Sequence, residues 1–64
     1  MELIVTREGD NEIHIYEDIG TEAIIRREKN KIILTMWPAD PLVIRKNEPL
    51  YKHFKAILDD PEIG

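Results

Sequence analysis

Apolar positions along the chain come in short runs separated by turn chemistry, a pattern of strands rather than helices over the first two thirds. Leu3-Ile4-Val5-Thr6 is apolar and β-branched, and Glu8-Gly9-Asp10-Asn11 behind it is a turn cluster, so strand then turn is the natural reading. Ile13 and Ile15 alternate with His14 and Tyr16, and Ile19 falls nearly in phase, which predicts a second strand with one wet face that ends near Asp18-Ile19-Gly20. Thr21 to Arg27 holds Ala23-Ile24-Ile25, and Glu28-Lys29-Asn30 reads as a hairpin loop into Lys31-Ile32-Ile33-Leu34-Thr35-Met36-Trp37. Pro38-Ala39-Asp40-Pro41 cannot continue a central ladder, because proline lacks the donor. Leu42-Val43-Ile44-Arg45 then makes a short fifth strand. Asn47 or Glu48 can cap a helix that takes Pro49 in its first turn, where a missing N–H does no harm. Leu50, Phe54, Ile57 and Leu58 fall on one face of that helix, and Asp59-Asp60-Pro61 stops it. The expected fold class is mainly β. Strands fall at about 2–7, 12–17, 21–27, 31–37 and 42–46, with one C-terminal α-helix at about 48–58, in a single domain over residues 1–64.

Length changes how that pattern must be completed. A chain of 64 residues is one small domain, and a domain of this size buries only about 60% of the surface it exposes when unfolded. Disulfides cannot staple it, because there is no cysteine. Self-association is the remaining inexpensive way to bury more. The same lack of cysteine excludes thiolate zinc sites, iron–sulfur clusters and a cysteine nucleophile, and it fits a reducing cytoplasm. No apolar run approaches the ~20 residues of a membrane span. The opening Met1-Glu2 has neither the basic region nor the apolar core of a signal peptide, so a cytoplasmic location is expected.

Thirteen acids against nine bases leave a net charge of −4, which argues against a generic polyanion binder. The charge is unevenly spread. Residues 1–25 carry seven acids and only Arg7, whereas residues 26–55 carry eight bases (Arg26, Arg27, Lys29, Lys31, Arg45, Lys46, Lys52, Lys55) against Glu28, Asp40 and Glu48. A basic middle keeps an anionic partner in view, although most such charges simply decorate a solvated face.

Catalytic chemistry has little to stand on. The three glycines are too scattered for a phosphate loop, the two histidines show no metal-ligand spacing, and there is no serine. Glu17-Asp18 are strand neighbours pointing to opposite faces, a poor arrangement for paired acid–base work. No enzyme activity, metal or cofactor is expected, and binding is the expected role.

The element order, read with particular residues, resembles the carbon storage regulator (CsrA/RsmA) family of RNA-binding translational regulators. Leu3-Ile4-Val5-Thr6-Arg7 resembles that family's opening L-I-L-T-R strand. Ile13-His14-Ile15 with Glu17-Asp18-Ile19 resembles its I-x-I-G-D-D-I segment, with Tyr16 in place of the usual glycine. Asn30-Lys31-Ile32-Ile33-Leu34 is similar to the turn and fourth strand, Pro38 to the A-P that follows, Val43-Ile44-Arg45 to V-H-R, and Leu50-Tyr51 to the I-Y of the helix start. The likeness runs from about residue 2 to residue 54. Glu8 replaces a second basic residue, the arginine and glycine of a G-x-V-R-x-G signature are missing, and Asn47-Glu48-Pro49 replaces R-E-E.

The resemblance implies an intertwined, strand-swapped homodimeric β-sandwich or barrel, in which strands one and five of one chain pair with the sheet of the other. It implies binding of GGA-containing loops in messenger RNA leaders, with effects on translation or message stability. Carried over position by position, the RNA-contacting candidates are Val5, Thr6 and Arg7 of the first strand, with Pro38, Val43, Ile44 and Arg45 around the fifth. An arginine fork suits phosphates and guanine edges. Arg45 suits a strand-end ion pair equally well, and Glu2 and Glu8 stand ready to pair with Arg7. For Trp37, half-buried packing is favoured over base stacking. The expected partners are a second copy of the chain, single-stranded or hairpin-loop RNA, and a protein antagonist. A second reading, drawn from Glu8 and the acidic first third, is a dimer of the same fold that acts as a protein-interaction or decoy module with weak or no RNA binding.

Overall fold

The structure, a computed structural model, describes residues 2–17, 20 and 22–63. The protein is mainly β: five antiparallel strands in one sheet, followed by one helix. The strands are β1 (Leu3–Arg7), β2 (Glu12–Glu17), β3 (Glu22–Glu28), β4 (Lys31–Met36) and β5 (Leu42–Arg45), and the helix is α1 (Pro49–Asp59). Each strand pairs with its sequence neighbour, giving the spatial order β1-β2-β3-β4-β5. Asp18, Ile19 and Thr21, which the sequence pattern gives as the exit of the second strand and the start of the third, lie outside the described residues, as does Met1.

Turn chemistry sets the register. Gly9 takes a positive φ of 72° in the first turn, which the Glu8 N–H closes on the Glu12 carbonyl at 2.9 Å. The β3–β4 connection is only two residues long, since Glu28 and Lys31 are directly paired. Lys29 meets that demand with a left-handed φ of 47°.

With a period of two, the register sorts the strands into two faces. Ile13, Ile25, Ile32 and Ile44 share one face, because Ile13 opposes Ile25 and Ile32 opposes Ile44. Beneath them lies α1, supplying Tyr51 and Leu58, and these six side chains are the buried core. Phe54, Ile57 and Ile63 pack against it with Ile15 and Leu34. The apolar spacing predicts Leu50 on the inner helix face, but Leu50 is exposed and Tyr51 is buried. Phe54, Ile57 and Leu58 face the core as that spacing predicts, and Tyr51 rather than Leu50 fills the first-turn place.

The helix leaves β5 and crosses under the sheet, so its C-terminal end arrives beneath Arg7 of β1. It covers only the end of the sheet nearest the β1–β2 and β3–β4 turns. At the other end of the same face, Leu3, Val5, Met36 and Leu42 remain exposed, Leu3 at 60%. No helix among the described residues is long and apolar enough to cross a membrane.

Candidate nucleic-acid interface

The side chains expected at an RNA surface fall at two opposite edges of the sheet. Val5, Thr6 and Arg7 lie on edge strand β1, and Val43, Ile44 and Arg45 on edge strand β5. Three strands separate them, a span of roughly 19 Å at the usual spacing of about 4.8 Å. Within one chain the two groups therefore do not meet. Val5 and Thr6 are exposed, and Val43 is exposed on the helix-free face, opposite Ile33. Ile44 is only 1% exposed, backbone included, and belongs to the core, so it is not open at that edge. Pro38 is exposed at the end of the sheet away from Arg45.

Arg7 is committed to the chain's own fold. Its Nε donates to the Ile63 carbonyl at 2.9 Å, one terminal nitrogen to the Leu58 carbonyl at 2.9 Å, and the other to the Asp60 carbonyl at 2.8 Å. The last carbonyls of a helix have no internal partners. This guanidinium takes up the Leu58 carbonyl of the last turn together with the Asp60 and Ile63 carbonyls just beyond it, and sets a positive charge at the negative end of the helix dipole, where the last turn holds no basic residue of its own. Neither Glu2 nor Glu8 pairs with it among the described ion pairs.

Arg27 is likewise engaged. It bonds to Asp59 at 2.7 Å, the Asn11 side chain at 3.1 Å and the Asp10 carbonyl at 2.8 Å. Lys55 joins the same carboxylate at 2.7 Å. These two cations, the lysine foremost, hold the Asp59 carboxyl at about 2, below its ordinary 3.8. Arg7, Asp10, Arg27, Leu58, Asp59 and Pro61 enclose a concavity of about 440 Å³ whose charges are thus largely matched.

Arg45 stands differently. Its side chain is exposed and has no acidic partner within 4.0 Å among the described residues. Glu48, the acid nearest in sequence, instead accepts the Arg45 backbone N–H at 3.2 Å. A second concavity, of about 420 Å³, opens around Arg45, lined by Glu28, Lys29, Asn30, Lys31, Lys46 and Asn47. Lys31 is a member that nothing in the linear pattern singles out as functional. A signal for it does exist: a hairpin two residues long fixes Lys31 opposite Glu28, and the next pairing sets it against Arg45.

Two further side chains complete the picture. Trp37, expected half-buried, is 72% exposed, because β4 ends at Met36 and leaves the indole beyond the helix-covered end of the sheet. His14 lies on the helix-free face, with one ring nitrogen 2.7 Å from Glu12 Oε2 and the other 3.0 Å from the Tyr16 hydroxyl. No group of three or more metal-ligating side chains comes together among the described residues.

No protein-family model, curated protein or solved structure matches the chain.

Proposed function

We propose that this protein is a cytoplasmic, RNA-binding post-transcriptional regulator of the carbon storage regulator type, recognising GGA-containing loops in messenger RNA leaders. The observation that carries the reading is Arg45: an exposed guanidinium without an acidic partner among the described residues, ending a strand whose outer edge is open. Backbone groups of an open edge suit unpaired bases of a loop, and an arginine fork adds a guanine or phosphate contact.

The reading includes a homodimer with exchanged first and fifth strands. Two features favour a second copy. Both edge strands have an open side, and Leu3, Val5, Met36 and Leu42 leave apolar surface beyond the reach of α1. Only another chain brings a β1 edge beside a β5 edge, and so Val5 and Thr6 beside Val43 and Arg45. Arg7 enters this interface mainly as the residue that fixes β1 against α1.

Arg45→Ala is expected to abolish binding to a GGA-loop hairpin while leaving circular dichroism and mass in solution unchanged. Tight binding retained by the variant removes Arg45 from the site. The second reading, a protein-interaction or decoy module, gains from the engagement of Arg7 and from the uncovered apolar surface. A gel-shift series separates them: no shift of a GGA hairpin even at low salt favours the module.

A further inference from the structure

We propose that the concavity at the β3–β4 turn is a phosphate site, which holds the RNA sugar–phosphate backbone next to the recognised loop. This rests on the RNA-binding reading and extends it to a surface beyond the strand edges. Four cations, Lys29, Lys31, Arg45 and Lys46, line the hollow with a single carboxylate, Glu28. That carboxylate is already paired with Arg26 at 3.4 Å, and none of the four cations has an acidic partner within 4.0 Å among the described residues.

The fold assembles this charge against its own preferences. Lys31 and Arg45 are direct cross-strand partners, and like charges in that position destabilise a sheet. Lys29 holds a left-handed backbone at φ 47°, where glycine or asparagine is the ordinary occupant. Local choices that oppose the fold tend to mark functional positions. A phosphate placed in the hollow would turn the repulsion into attraction.

The lining also selects among anions. Every lining residue is charged or carries a side-chain amide, so the only apolar surface in the hollow is that of side-chain stems, and no aliphatic or aromatic residue lines it. Three of its four cations are lysines, point charges that suit backbone phosphates read without regard to sequence. Asn30 and Asn47 add N–H donors for phosphate oxygens.

Fluorescence anisotropy of a GGA-loop hairpin across a salt series tests this. For the Lys29→Gln/Lys31→Gln/Lys46→Gln variant the expected result is weaker binding and an unchanged preference for GGA over a scrambled loop. Its log–log salt slope is expected to be flatter by ~0.7 for each phosphate that the variant no longer neutralises. Lys29→Gly removes one charge and also relieves the left-handed backbone, so it is expected to melt no earlier than the parent and still flatten the slope. A slope equal to the parent's in both variants overturns the phosphate site. Failure of the underlying reading looks different: the parent then shows no preference for the GGA loop. In that event a chemical-shift titration with inorganic phosphate still decides the site. Shifts at the backbone amides of residues 28–31 and 45–47 support it. Their absence, or equal shifts with polyglutamate, overturns it.

Discussion

Arg7 shows how one side chain can serve a different need from the one its sequence context suggests. Hydrogen bonds from a charged donor are worth roughly 1.5–3 kcal/mol each, and stranding the carbonyls adds to the loss. Arg7 donates to carbonyls of Leu58, Asp60 and Ile63. Arg7→Ala is therefore expected to destabilise the fold by about 2–4 kcal/mol, seen as a lower urea midpoint. Arg7→Lys should restore only part of this, since an ammonium cannot reproduce a planar fork. A loss of stability below about 0.5 kcal/mol would contradict the capping role. Sequence alone could not assign it, because the acceptors are backbone groups at the far end of the chain. Ile44 is a second case. Its run Leu42-Val43-Ile44 is apolar throughout and does not say which side chain points inward, and the register with Ile32 makes it core rather than an RNA contact.

The elements are largely legible in the sequence, because alternation, the proline-bounded break at 38–41 and the Asn-Glu-Pro helix start are local signals. The first turn of α1 is not: Leu50 and Tyr51 both satisfy helical spacing with Phe54, Ile57 and Leu58, and only the packing under the sheet selects Tyr51. At its C-terminal end α1 is tied to β3 by Arg27 and Asp59, with Lys55 joining one turn earlier. The carboxyl of Asp59 falls from 3.8 unfolded to about 2 in the fold. A group with a depressed folded value adds stability above its unfolded value and loses it as pH falls through the folded one. The stability difference between the parent and Asp59→Asn is thus expected to be full above about pH 4 and to vanish as pH falls through about 2. Thermal melts across that range check this. A difference independent of pH would remove the ion pair as its cause.

At the scale of the whole molecule, the chain is a five-stranded sheet half covered by one short helix, with apolar surface left over and both edges open. Length alone leads to an expectation of self-association, and the uncovered Leu3, Val5, Met36 and Leu42 give it a specific surface. The candidate site is legible only in part. Arg45 carries a signal as the base closing an apolar strand, whereas the grouping of Lys29, Lys31 and Lys46 around it depends on pairing across β3, β4 and β5 that no linear spacing displays. The measurement that bears most directly on the proposed regulator is native mass spectrometry of the protein mixed with a GGA-loop hairpin and, separately, with a loop-scrambled one. The expected species is two chains holding RNA, present with the first hairpin and absent with the second. A single chain that ignores both hairpins would contradict the shared interface and the RNA reading together.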